Sequence, residues 1–162
     1  MNKRATFILT GMTLLGLAIA ALPQVGFAQS DPWLGTWKLN LAKSKYGPVS
    51  LPKSLTVTVQ EEGQNHKVTA VGIDAEGKPI SSVVMWIYDG MPHPVTGTPN
   101  FDAIATTRVD AYTTIISRTK AGKLVRASID VVSQDGKTHT GTTAGIEANG
   151  RQFNIINVYD KQ

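Results

Sequence analysis

The chain has 162 residues, a formal net charge of +4 and no cysteine. The lack of cysteine excludes disulfides, thiolate metal sites and cysteine nucleophiles. Without Lys3 and Arg4, which lie in the first segment, 14 basic residues remain against 12 acidic ones, a net charge of +2. This near balance, with no basic cluster interleaved with aromatic residues, predicts no nucleic-acid partner.

The first segment has the three parts of a secretory signal peptide. A basic start precedes an apolar run over 7–22, and Gly26-Phe27-Ala28 offers small residues at the −3 and −1 positions of a cleavage site. We therefore expect residues 1–28 to be a signal peptide and 29–162 to be one domain, exported to the periplasm or the extracellular space. The apolar run is shorter than the ~20 residues that span a bilayer, which favours cleavage after Ala28 over a membrane anchor, and we expect no membrane insertion after cleavage.

Beyond this segment, hydrophobic residues recur with a period of two. Leu55, Val57 and Val59 alternate with Thr and Gln, which is typical of a half-buried strand. A single helical turn over 41–45 is the only helical feature that we expect. The predicted strands, in chain order, are 32–40, 55–60, 66–74, 80–89, 102–109, 112–119, 123–133, 137–146 and 152–159.

Tight turns separate these runs. Asp135-Gly136 and Asn149-Gly150 are strong hairpin signals, because type I′ turns need positive φ at both central positions. The pattern predicts an all-β fold, a single antiparallel up-and-down meander of about 8–10 strands closed into a barrel. A β-sandwich is the alternative. A membrane-embedded barrel is disfavoured, because the outward positions of the clearest strand are Thr and Gln.

The stretch WLGTWKLN places two tryptophans on the first predicted strand. In a closed meander this strand meets the last one; Gly35 permits close backbone approach, and Trp37 can plug one end of the barrel. Gly35-Thr36-Trp37 resembles the Gly-x-Trp motif of the lipocalins and the wider calycin superfamily. The resemblance implies a lipocalin-like barrel in which an arginine near the last strand stacks on this tryptophan, and Arg151 is the matching position.

A closer resemblance covers nearly all of the expected mature chain. The strings GTWKLNLAKSKYGP, HPVTGTPNFD and VYDKQ are similar to a family of secreted bacterial lipocalin-like proteins without assigned activity. The resemblance implies the fold and export, and it supplies no catalytic residue. This chain departs from the family at His139 and Gly141, where members tend to have larger apolar residues.

The segment 88–99 is the least strand-like part of the domain. Its three prolines predict a stiff loop that cannot join a β-ladder. One interpretation is a lid over the barrel mouth, in which Tyr88, His93 and Thr96 contact a ligand. The other is a rigid connection that covers a sheet edge.

Two strands suggest where an internal cavity would lie. The run 83–88 is apolar on both faces, so it is either buried on both sides or covered outside, and an inward Trp86 would form a cavity wall. The strand 137–146 has almost no bulky apolar residue, which indicates either a cavity beside His139 and Gly141 or an edge strand exposed on both sides.

Patterns for chemistry are missing. His66, His93 and His139 have no metal-ligand spacing, and serine-nucleophile and phosphate-loop motifs are absent. Asp102 and Asp110 bracket a strand and turn, and Asp110 is best explained as a turn residue. We predict no catalytic residue, no cofactor and no metal.

Three functions remain open. The first is an exported barrel that binds a small apolar or amphipathic ligand. The alternative is a non-enzymatic envelope module with a filled barrel and an interaction surface on the outer face of 83–87. An enzyme that uses Tyr88, His93 and His139 is the weakest hypothesis, because fold resemblance alone does not support a reaction.

Overall fold

The structure is a computed structural model that describes residues 30–147 and 149–162. The expected signal peptide lies outside the described residues. In the part of the chain that is described, no helix is long and apolar enough to cross a membrane.

One antiparallel sheet contains all the strands of the described residues, in the order β4-β3-β2-β1-β10-β9-β8-β7-β6-β5. The predicted all-β meander is therefore confirmed. The strands are β1 (Gly35–Leu39), β2 (Ser54–Glu62), β3 (Asn65–Ile73), β4 (Pro79–Trp86), β5 (His93–Pro94), β6 (Ala103–Arg108), β7 (Thr113–Lys120), β8 (Lys123–Val132), β9 (Thr138–Ile146) and β10 (Gln152–Lys161).

The sheet curls into a half-barrel around an internal cavity. The first and last strands lie at its centre, where Trp37 pairs with Lys161 and Leu39 with Tyr159. The end strands β4 and β5 do not pair with each other among the described residues, and β4 approaches β6 instead. The wrapped sheet therefore has a seam between β4 and β5–β6.

The prediction that the proline-rich loop cannot join a β-ladder is wrong, because this loop contains the short strand β5. His93 and Pro94 pair with Ile104 and Ala103, and the ladder continues with a hydrogen bond from the N–H of Val95 to the carbonyl of Asp102 at 2.8 Å. Proline is tolerated here because β5 is an edge strand, where the missing N–H can face away from the ladder.

Two tryptophans seal one end of the barrel. Trp33 and Trp37 are both fully buried, and the Trp37 indole N–H donates to the carbonyl of Trp33 at 2.9 Å. The Trp33 indole N–H donates to the carbonyl of Ala111 at 3.0 Å, and its ring meets Trp86 edge-on at 5.5 Å. The short segment before β1 therefore crosses and closes this end.

Strand β8 has its polar face inside. Arg126, Ser128 and Asp130 point toward the cavity, whereas Ile129 and Val131 lie on the outer surface, 52% and 40% exposed. The side-chain period of two places these sets on opposite faces. As a result, one wall of the barrel interior is polar and charged.

Candidate functional site

The cavity inside the barrel has a volume of about 600 Å³ and two chemically different walls. Strands β2, β3 and β4 line one side mostly with hydrophobic residues. Strands β7 to β10 line the other mostly with polar and charged ones, beside Ile155 and Tyr159. The apolar wall includes Leu55, Val57, Val68, Ala70, Val84 and Trp86, and the polar wall includes Arg118, Arg126, Ser128, Asp130, Thr143 and Asn157.

The end of the cavity opposite the tryptophans is lined by two loops. One is the β3–β4 turn, in which Asp74 accepts a hydrogen bond from the N–H of Lys78 at 2.7 Å. The other is the segment 97–101 between β5 and β6. The cavity rim is thus formed by residues 97–99 of the proline-rich loop and by residues 100–101, which follow it. These residues lie further along the chain than Tyr88, His93 and Thr96, the predicted contacts of the lid.

A chain of hydrogen bonds runs along the polar wall. Asp130 accepts from the Ser128 hydroxyl at 2.7 Å, and Ser128 Oγ in turn lies 3.3 Å from a guanidinium nitrogen of Arg118. The other carboxylate oxygen of Asp130 lies 3.1 Å from Nε2 of His139. This network holds the Asp130 carboxylate in a fixed position within the wall.

The His139 ring is packed rather than free. It stacks on Tyr159 at 5.1 Å and meets Trp33 and Trp37 edge-on. Its Nδ1 atom is buried without a hydrogen-bond partner, so Nε2 is the ring nitrogen that faces and hydrogen-bonds Asp130. Burial also raises the pKa of the Tyr159 hydroxyl above its usual range.

The small residues of β9 make room for side chains of its neighbours. A Cβ at position 141 would lie less than 3.0 Å from the Asp130 carboxylate, and one at position 145 would overlap the Phe153 ring. Strand β9 lies between β8 and β10, so the edge-strand interpretation is wrong. The site predicted at Gly141 is occupied by Asp130, and β9 lines the cavity through His139 and Thr143.

Two arginines near the rim were missed by sequence reasoning. Arg118 and Arg126 stand directly opposite each other on β7 and β8. Burial lowers the pKa of both guanidinium groups; for Arg118 the charge of Asp130 opposes this effect and the charge of Arg126 adds to it. The sequence contains a signal for the inward position of Arg118. Along one strand, Arg118 alternates in step with Thr114 and Ile116, so it lies on the same face as this core isoleucine.

The predicted contact residues lie in different places. Both Trp86 and His139 line the cavity: Trp86 forms part of its wall, and His139 lies at its closed end. The Tyr88 hydroxyl lies 2.6 Å from Nδ1 of His66, His93 lies 2.9 Å from an oxygen of Asp89, and Thr96 is exposed.

Tyr88, His93 and Thr96 are therefore not cavity-lining residues, and their contact with a ligand stays a prediction. The chain leaves β4 after Trp86, which carries Tyr88 past the closed end of the barrel, and residues 88–96 are not part of the cavity lining. Tyr88, His93 and His139, the suspected catalytic group, do not share a site. The run 83–88 is also not buried on both faces, because Val83 is half exposed.

A partly buried ionic cluster holds the closing segment at the closed end. Arg108 makes two hydrogen bonds to the carboxylate of Asp31, at 2.5 and 2.9 Å, and Nε2 of His66 lies 3.3 Å from the same carboxylate. Burial alone would raise the pKa of Asp31, but the hydrogen bond from Arg108 holds it below its usual value. Burial lowers the pKa of His66, and the charge of Asp31 offsets part of this effect.

The cation on Trp37 is a lysine and not the predicted Arg151. Lys161 Nζ lies 4.9 Å from the Trp37 ring centre, and Gly35, with a φ of 121°, leaves space for the lysine stem. Arg151 lies before the other end of β10, roughly 30 Å away at the usual rise per residue. There it is half exposed and forms an ion pair with Glu147 at 2.6 Å.

Comparisons with known proteins agree with this architecture. No protein-family model and no curated protein matches the chain. Zebrafish ileal bile acid-binding protein, solved with cholic acid, is similar over 81% of this chain and 99% of its own, with 10% identity and a TM-score of 0.55. The siderocalin Ex-FABP matches 81% of this chain and 71% of its own at 8% identity, with a TM-score of 0.45.

In its fold, the described part of the chain is a calycin-like β-barrel. More particularly, the described residues form a curled meander of ten strands, and its cavity has one mostly hydrophobic and one polar, charged wall. At 10% identity, the similarity to the bile acid-binding protein shows the fold and not the ligand.

Proposed function

We propose that this protein binds a small amphipathic molecule inside the barrel. The observation that carries the proposal is the cavity of about 600 Å³ with its two unlike walls. Its volume lies within the ~300–1,000 Å³ usual for ligand sites. A flat molecule with one hydrophobic and one hydroxylated or charged face would satisfy both walls at once.

The energetics favour such a ligand over a purely apolar one. The apolar wall gains from burial of hydrocarbon, at roughly 25 cal/mol per Å² removed from water. The polar wall contains the buried carboxylate of Asp130 and the amide of Asn157. Covering these groups with hydrocarbon alone would remove water without replacing its hydrogen bonds, which is unfavourable.

Binding can be tested with cholate as the probe, followed by calorimetry and tryptophan fluorescence. Strand β3 offers a matched pair of variants, because Ala70 lines the cavity and its neighbour Val71 is 47% exposed on the outer face. Ala70→Phe should fill the cavity and abolish binding, whereas Val71→Phe should leave the affinity within about threefold of the original. No binding to the unmodified protein, or equal loss in both variants, would contradict the proposal.

We also infer that the protein is exported before it acts. The support is the basic start, the apolar run and the small residues ending at Ala28 in the sequence. Intact-mass measurement of the protein recovered from its native host tests this. The expected mass lacks residues 1–28, and a full-length mass in the cytoplasm would contradict export.

The alternative of a filled barrel that serves only as an envelope module receives less support. Its premise is a packed interior, and the barrel encloses a cavity of about 600 Å³. We propose no catalysis, because the suspected side chains do not converge on one site.

A further inference from the structure

Two like charges face each other across the β7–β8 ladder, near the rim of the cavity. Arg118 and Arg126 are direct cross-strand partners, and both side chains line the cavity. The register shifts immediately beyond them, where Thr119 pairs with Leu124 and Val125 is left without a partner. Like charges in opposed positions destabilise a sheet, and bulges are frequent beside functional sites because they redirect side chains.

Neither guanidinium forms a direct ion pair with a carboxylate within the described residues, although the charge of Asp130 acts on Arg118 and that of Glu147 on Arg126. Arg118 donates a hydrogen bond to the uncharged hydroxyl of Ser128, and its guanidinium lies 5.7 Å from the centre of the Phe101 ring. Arg126 lies over the Phe153 ring at 5.2 Å. Neither forms an ion pair with a carboxylate in the described part of the chain.

The nearby acids are engaged elsewhere. Asp130 is bound by Ser128 and His139, at 2.7 and 3.1 Å, and Glu147 is paired with Arg151. At the rim, Asp74 and Lys78 carry opposite charges. The lining of the cavity therefore has three cationic side chains against two carboxylates, an excess of one positive charge.

The geometry points to an anion-binding site between Arg118 and Arg126, which takes the carboxylate of an amphipathic organic acid. This inference rests on the proposed function, since it concerns one end of the same ligand. Two guanidinium forks from adjacent strands can each donate to a carboxylate, and a bound anion removes the repulsion between them. The acid group then lies near the rim, and the hydrocarbon part extends along the apolar wall toward Trp86.

Cholate and its uncharged methyl ester test the inference, because they differ in charge and share one ring system. Binding of both to the unmodified protein, Arg118→Met, Arg126→Met and Lys123→Met is measured by tryptophan fluorescence. Lys123 is exposed in the same hairpin, so its variant is a control for net charge. Each arginine variant should weaken cholate binding roughly 10- to 100-fold and leave methyl cholate within about threefold, and Lys123→Met should change neither.

The outcomes separate this inference from the proposed function. If the arginine variants weaken cholate and its ester equally, the anion site is refuted and binding in the barrel stands. If neither compound binds the unmodified protein, both fail.

Discussion

Replacing Gly141 with alanine should destabilise the barrel through Asp130. The added Cβ would lie less than 3.0 Å from the carboxylate, against the 3.4 Å or more of ordinary contacts. The carboxylate must move by a substantial fraction of an ångström, which strains its bonds to Ser128 and His139 at 2.7 and 3.1 Å. Hydrogen bonds to a charged group contribute about 1.5–3 kcal/mol each, and alanine regains roughly 0.5–1 kcal/mol in a strand. We expect a net loss of about 2–4 kcal/mol.

Urea unfolding, followed by tryptophan fluorescence, tests this contact in four proteins: the unmodified protein, Gly141→Ala, Asp130→Ala and the double variant. In an Asp130→Ala background the clash is absent, so Gly141→Ala should be neutral or stabilising by roughly 0.5–1 kcal/mol. The coupling between the two substitutions should therefore exceed about 2 kcal/mol. Equal costs for Gly141→Ala in both backgrounds would refute the role assigned to the glycine.

Two further predictions concern the closed end of the barrel. Lys161→Met removes the cation from Trp37 and should lower the free energy of unfolding by about 0.5–1 kcal/mol. Arg151→Met, at an exposed ion pair, should change the free energy of unfolding by less than about 0.5 kcal/mol. A larger loss in the Arg151 variant than in the Lys161 variant would favour Arg151 as the residue that stacks on Trp37. Because the folded state lowers the pKa of His66, stability is fully present above the unfolded value near 6.5 and falls as pH drops below it, by at most about 1.4 kcal/mol per pH unit. His66→Gln should flatten unfolding free energies between pH 7 and 5, and an unchanged slope would assign this pH dependence to other groups.

The fold was predictable because strand periodicity and turn chemistry are local properties. Leu55, Val57 and Val59 alternate with polar residues, and Val57 and Val59 are buried as their pattern indicates. The hairpin signals at Asp135-Gly136 and Asn149-Gly150 fall between β8 and β9 and between β9 and β10. Such features need no knowledge of distant neighbours.

The site was less predictable because it depends on register and on which face of a strand lies inside. Strand β8 turns Arg126 and Asp130 inward and Ile129 outward, the reverse of what burial of hydrophobic residues suggests. Lys161 reaches Trp37 because of the β1–β10 register, which the order of residues along the chain does not specify. Gly141 looked like empty space, since nothing local shows that Asp130 of the neighbouring strand fills it.

Backbone amide NMR during a titration with cholate tests most directly whether the barrel interior is the binding site. If cholate binds inside the barrel, the largest chemical-shift changes are expected at inward positions of both walls, such as Ala70, Val84 and Ser128. Intermolecular contacts between the ligand rings and Trp86 are expected as well. Small shifts at the outward neighbours Val71 and Ile129 should accompany them. Shifts confined to the outer face of β7 and β8, or no shifts as cholate is added, would contradict it.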